Sequence, residues 1–356
     1  MFRHHLIRNT FITLILGITA MFTACSSDSS PSDTTYNGPG SRYVTTFRSD
    51  GTFTLIQYPD ASSTTADITV DGTYTTLSTG FKKLTVTSAT GTGAPSAGDE
   101  AYGIEVPGYV FVLKPLGSGD QIIPMVTSGA CPSADMTANW AVVNLDSGAT
   151  VASADLGGTF NYDYATSTAS VPAKFDVSGG SLGSNTIGTG SCSDGIMTIG
   201  NVDMYLTDSG GAIVNTDTSD PNNATYIFAF AQTAIGTKSS LDGTYAGLVF
   251  NDSGASGSKI SPVKLVCSSG TCTGNAYTDV ETGALDSGTV TLTLGTPDTL
   301  GDGLILATID MTGGTTGNVI CTIDKNAGTS TDIIGSCTGQ DPGDTSKMFN
   351  VLFTKI

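Results

Sequence analysis

The sequence predicts an all-β protein of two or three antiparallel β modules, each a sandwich or an up-and-down barrel, the C-terminal module an eight-stranded meander. Three observations carry that expectation. Gly, Ser, Thr and Asp dominate between short apolar runs, with 45 Gly among 356 residues, the composition of strands joined by turns rather than of helices. Beyond residue 24, no window of the ~11–18 residues an amphipathic helix occupies holds a 3.6-residue apolar period. Asp-Gly and Asp-Ser-Gly clusters punctuate the runs at hairpin-like spacing.

The first element is not part of the fold. Arg3 and Arg8 form a positive start, followed by an apolar run over 11–24. That run suits a signal-peptide core and falls short of the ~20 residues of a spanning helix. It ends in Phe22-Thr23-Ala24-Cys25, which resembles the lipobox of bacterial lipoproteins, with Phe22 where Leu is usual. The resemblance implies removal of residues 1–24, acylation (palmitate) of the Cys25 thiol, and a lipid-anchored protein of the cell envelope. Ser26, rather than Asp, after the cysteine implies the outer membrane, on its periplasmic face or at the cell surface. Durable anchoring takes more than one acyl chain. Residues 25–40 are polar, carry Pro and Gly, and read as a disordered tether.

Residues 41–150 read as a β module. A hairpin of 43–48 with 52–58 turns at Ser49-Asp50-Gly51, and strands follow at 83–87, 109–114, 122–126 and 140–145. The segment 102–115 is the most apolar of this half and is expected in buried sheet. Residues 151–238 form a second module, or one domain with 41–150. There 204–207 and 212–215 flank a turn, and 224–230 is apolar on both faces, as a central strand would be. Two phrases recur. Gly51-Thr52-Phe53, Gly72-Thr73-Tyr74, Gly158-Thr159-Phe160 and Gly243-Thr244-Tyr245 are one; Asp-Ser-Gly at 146, 208, 252 and 286 is the other. Both read as turn chemistry leading into strands, although the spacing of 157–160 and 242–245 also fits two related modules.

The last module, 239–356, offers strands at 244–250, 263–267, 272–278, 288–294, 303–310, 317–324, 331–337 and 348–355. Short connectors imply antiparallel neighbours, and eight strands suffice to close a barrel. In architecture alone this meander resembles lipocalin-like and avidin-like barrels; a two-sheet sandwich is the alternative.

Six cysteines remain after Cys25, an even number that favours disulfides in an exported chain. We expect Cys267–Cys272 across a hairpin end and Cys321–Cys337, whose loop is worth roughly 3 kcal/mol by chain entropy. Cys131–Cys192 follows by elimination. Zinc is disfavoured, since no Cys-x-x-Cys exists and both histidines, His4 and His5, lie in the leader. Calcium is the ion the oxygen-rich composition suits best, with Asp217 and Asp220 the densest candidates and Asp298 with Asp302 the next; Asx turns explain both groups without metal.

Charge and chemistry narrow the function. Loss of the leader leaves 12 of the 14 basic residues against all 32 acidic ones, a net charge of −20, which repels nucleic acid. Gly179-Gly180-Ser181-Leu182-Gly183 matches a nucleophile elbow but has no histidine to act as base. Ser256-x-x-Lys259 and Ser261-x-x-Lys264 lack the helix start that such lysine-paired serines use. Trp140, the one tryptophan, reads as core rather than as a sugar platform. The sequence therefore points to a non-enzymatic envelope lipoprotein with a surface-interaction or structural role and a protein or glycan partner. The alternatives are a carrier of a small ligand in a lipocalin-like C-terminal barrel, and a glycan hydrolase working through a carboxylate pair.

Overall fold

The computed structural model describes residues 33–38, 43–59, 63–114, 122–127, 129–144, 151–200, 202–207, 212–215, 226–252, 259–312, 314–327 and 332–356. The chain divides into Met1–Asp33 and Thr34–Ile356, and every described strand belongs to the second unit. The lipidation candidate Cys25, the signal segment, the calcium candidates Asp217 and Asp220, and Ser256 lie outside the described residues.

The protein is all-β: two closed eight-stranded barrels and, in sequence between them, a nine-stranded sheet. Among the described residues the helical turns are Val151–Ser153 and Lys238–Leu241.

The N-terminal barrel is an antiparallel meander of β1 Thr34–Asn37, β2 Tyr43–Phe47, β3 Thr52–Gln57, β4 Ile68–Thr76, β5 Lys82–Thr90, β6 Glu100–Val106, β7 Val110–Lys114 and β8 Ile123–Thr127. It closes where β1 pairs with β8, Tyr36 opposite Thr127 and Asn37 opposite Val126. Residues 34–37, read from sequence as tether, are thus its first strand. Side chains alternate in and out along each strand, so Phe53 and Leu55 of β3, Val70 of β4 and Leu84 and Val86 of β5 share the interior. Gly72 departs from its expected turn role. It sits inside β4 at a register shift, because a Cβ there would strike the Phe53 ring and the Thr85 carbonyl oxygen. The hairpin of β6 and β7 is buried on both faces, since one lines the barrel and the other packs on the rest of the molecule.

The middle sheet runs in the order β12-β11-β10-β9-β17-β16-β15-β14-β13. Its strands are β9 Met136–Asn144, β10 Gly157–Asp163, β11 Thr168–Phe175, β12 Asn185–Thr189, β13 Ser191–Ser193, β14 Ile196–Ile199, β15 Val202–Leu206, β16 Ala212–Asn215 and β17 Tyr226–Ala231. β9, which the sequence grouped with the first module, pairs with β10 and β17 instead. β17 is central, as its two-sided apolarity predicted: Phe228, Ala229 and Phe230 are all buried. Trp140 is core, 5% exposed, lying over Gly158 with Nε1 donating to the Thr159 carbonyl at 3.3 Å.

The C-terminal barrel is the expected meander: β18 Gly243–Asn251, β19 Ile260–Ser268, β20 Thr271–Asp279, β21 Ala284–Leu294, β22 Leu304–Met311, β23 Gly317–Asp324, β24 Ile334–Asp341 and β25 Asp344–Lys355. β18 pairs with β25 to close it, which decides for barrel over sandwich. Asp286-Ser287-Gly288, read as a turn, lies within β21. Between β19 and β20, Ser269 and Gly270 take φ of 51° and 90°, the two positive angles of a tight hairpin turn.

All three expected disulfides are present: Cys131–Cys192, Cys267–Cys272 and Cys321–Cys337. The last two join directly opposed residues inside the barrel. Cys131–Cys192 ties the edge strand β13 to the segment that enters β9.

Candidate functional site

Eight strands enclose a barrel just wide enough to be filled by side chains or to hold one small ligand. The N-terminal barrel does one at each end. Its lower end is plugged by a buried polar group. Lys82, 6% exposed, points inward and its Nζ lies 2.5 Å from Glu105 Oε2. The same ammonium sits 4.1 Å from the Phe47 ring centroid and 4.4 Å from that of Tyr74, a two-ring cation–π cage. Tyr36 donates its hydroxyl hydrogen to Glu105 Oε1 at 2.8 Å. Burial first, and the Glu105 charge second, hold that phenol well above the usual tyrosine range. Phe111 closes the plug, its ring 4.9 Å from that of Phe47.

Above the plug lies a cavity of about 310 Å³. Its walls are Phe53, Leu55, Ile68, Val70, Leu84, Val86, Leu113 and Ile123. Tyr43 and Gln57 add polar atoms, and Gly93, Pro95 and Asp99 of the β5–β6 loop border it. Asp99, in the exposed loop, is the one carboxylate that lines it.

The C-terminal barrel is filled differently. The disulfides, Tyr245, Phe349 and Phe353 belong to its interior core, and Tyr245 meets Phe353 edge-to-face at 5.5 Å. A smaller cavity of about 220 Å³ remains between Val249, Val263, Val290, Met311 and their neighbours. Its charged lining residues are Lys259 and Asp286, and Lys259 is paired with Asp252 at 2.5 Å.

The structure also places the motifs read from sequence. Ser181 stands in an exposed loop where Asp176 organises the turn by accepting from Ser178 and Gly180. Ser261 and Lys264 lie three apart on β19, hence on opposite faces of one strand. Asp298 accepts backbone N–H bonds from Ile235, Gly236 and Gly303. Burial opposes its charge, but those donors outweigh it and hold the carboxyl below its usual range. Its oxygens thus face backbone donors, and Asp302 does not join it in a cluster: among the described residues no group of three or more His, Cys, Asp or Glu side chains is placed to hold a metal ion. Each cavity is lined by one carboxylate, so no glycosidase-like pair is assembled at either among those residues.

Two sites escaped the sequence reading. One is the Lys82–Glu105–Tyr36 plug. The other is the junction where Lys83 binds Glu100 at 2.7 Å and Glu281 at 2.6 Å, linking the two barrels. Burial and the neighbouring Glu281 push the Tyr102 phenol beside it up to about 12.

These features define a class by architecture: an all-β protein whose barrels end in apolar cavities. No family model matches the chain, and no curated protein does either. Among solved structures it is similar to the isotype 1 transferrin binding protein B of serogroup B Neisseria meningitidis, at 12% identity and a TM-score of 0.26. That match covers 88% of this chain and 65% of the other, so the chain spans just under two thirds of that protein's length. It is also similar to a double mutant of the vaccine antigen transferrin binding protein B from Haemophilus parasuis Hp5, at 10% identity and a TM-score of 0.25, covering 93% of this chain and 67% of that one.

Proposed function

We propose that this protein is a non-catalytic binding lipoprotein of the outer membrane, held by lipid on Cys25 and working by interaction with a protein or glycan partner. The observation that carries the reading is the use made of the charged groups. Lys82 and Glu105 plug a barrel, Lys83, Glu100 and Glu281 join two barrels, and Asp176, Asp279, Asp298 and Asp344 organise turns. None is left in a cavity beside a second carboxylate or a nucleophile, which general acid–base hydrolysis requires.

The test has two arms. Cells fed labelled palmitate should acylate the native protein and not Cys25→Ser, which should move from the membrane to the soluble envelope fraction. Equal membrane retention of both would refute the anchor. The purified protein should release no reducing ends from envelope glycans; release abolished by Asp286→Asn or Asp99→Asn would replace binding with hydrolysis.

A further inference from the structure

The N-terminal barrel is open at one end and plugged at the other, and the two ends have opposite surroundings. The plugged end is docked. Thr79, in the turn below Lys82, donates its hydroxyl hydrogen to the Val280 carbonyl at 3.0 Å. Phe81 packs edge-on against Tyr277 of the C-terminal barrel at 5.7 Å, and Tyr109 stacks toward Phe230 of the middle sheet at 6.4 Å. β5 runs from this docked end, at Lys82, to the β5–β6 loop that borders the cavity. The cavity mouth is therefore at the end of the barrel away from that junction.

We infer that the N-terminal barrel is a calyx for one small, uncharged, largely hydrocarbon molecule. This rests on the binding-protein reading and names its ligand class. The volume of about 310 Å³ sits at the lower end of the ~300–1,000 Å³ of small-molecule sites. The walls are aliphatic and aromatic, so burial of apolar surface supplies the affinity. The charge pattern selects against anions. The one cation inside the barrel, Lys82, lies below the cavity and is already held by Glu105 and two rings, so no ammonium is left to receive a carboxylate or sulfonate. The one charged lining residue, Asp99, is acidic, and the chain as a whole carries a formal −18. Gln57, among the lining residues near the mouth, suits a ligand with one neutral polar atom.

Two dyes with the same aromatic skeleton separate shape from charge: neutral N-phenyl-1-naphthylamine and anionic 1-anilinonaphthalene-8-sulfonate. The protein is the exported full chain carrying Cys25→Ser, which forms its disulfides and has no acyl chains to absorb dye. The neutral dye should brighten saturably at one site per chain, and the anionic dye should bind about tenfold more weakly. Val86→Phe should remove the neutral-dye site, while Val290→Phe, the matching change in the C-terminal cavity, should leave it intact. Asp99→Lys, at an exposed position where folding is not at stake, should strengthen the anionic dye about tenfold and leave the neutral one unchanged. Absence of saturable neutral-dye binding, loss with Val290→Phe instead of Val86→Phe, or indifference of the anionic dye to Asp99→Lys would each overturn the inference. Any of these leaves the Cys25 acylation result untouched, so failure of the calyx is distinguishable from failure of the anchored-binder reading.

Discussion

Breaking the plug of the N-terminal barrel should be costly in a way that a second substitution repairs. In Glu105→Gln the glutamine amide keeps an acceptor for the Tyr36 hydroxyl, which lies 2.8 Å from Glu105 Oε1. Lys82, however, loses the carboxylate 2.5 Å away and stays a buried ammonium. Removing one member of such a pair costs about 3–5 kcal/mol. The Phe47 and Tyr74 rings, at 4.1 and 4.4 Å from Nζ, return about 1 kcal/mol of that. A net loss of about 2–4 kcal/mol lowers the urea midpoint of the barrel by about 1–2 M at a slope near 2 kcal/mol per M. Lys82→Met with Glu105→Gln leaves no uncompensated charge, and the unbranched thioether fills the lysine's path between the rings. The double variant should regain about 2 kcal/mol, a coupling energy of that size between the two sites. Urea titrations followed by tyrosine near-ultraviolet circular dichroism measure all four corners of the cycle. A single-variant loss under about 1 kcal/mol, or additive losses, would show that the charges are solvated and that the barrel is open at both ends.

Cys192→Ser frees β13 from the segment before β9; with a sequence separation of 61, chain entropy assigns the bond about 4 kcal/mol, and faster amide exchange in β13 and β14 should accompany the loss. Asp298→Asn should destabilise by about 1 kcal/mol at neutral pH, discounted for its partial exposure. Because the folded-state carboxyl is held below its unfolded value of about 3.9, its contribution is complete above that value and lost as pH falls through the lower one. The gap between native and variant should therefore be constant from neutrality to about pH 4 and close below it. A gap unchanged at pH 2–3 would refute the role. Gly72→Ala should cost about 2 kcal/mol or more, as its Cβ is driven into the Phe53 ring and the Thr85 carbonyl; a thermal melt that does not move would contradict that packing.

How much of this was legible in sequence depended on where each strand's inward face points. All eight C-terminal strands were readable because their inward positions are apolar and their connectors short: Val263, Leu265 and Cys267 alternate with Lys264, Val266 and Ser268 without interruption. The same regularity placed Cys267 opposite Cys272 and Cys321 opposite Cys337. The first barrel hid itself. β1 is Thr-Thr-Tyr-Asn, which reads as linker. β4 carries Asp71-Gly72 in its middle, which reads as a turn, whereas the glycine is there to admit a ring. β5 and β6 send Lys82 and Glu105 inward, breaking the alternation that marks a half-buried strand. The cavity was beyond sequence reading altogether, since its walls come from seven strands between Tyr43 and Ile123 and meet only on closure.

The two barrels show why closure alone does not decide whether an interior is filled. Both have eight strands, hence similar bores. In the C-terminal barrel, cystines and aromatic rings arise from five strands, β18, β19, β20, β23 and β25, with β24 supplying Cys337. They occupy much of the bore, and what is left is the smaller space, with Lys259 and Asp286 among its lining. In the N-terminal barrel the bulky groups are gathered at one end. Phe47, Tyr74, Phe111 and Tyr36 cluster around a single ion pair, so the remaining length is lined by aliphatic side chains with no partner across the bore. Concentrating the polar and aromatic groups at the docked end serves both purposes at once. It buries the ion pair where neighbouring sheets exclude water, and it leaves the apolar length at the accessible end. A barrel built only for rigidity gains nothing from that asymmetry, because an unfilled apolar bore forfeits packing contacts on every wall. A barrel that receives an apolar guest recovers those contacts when the guest is bound.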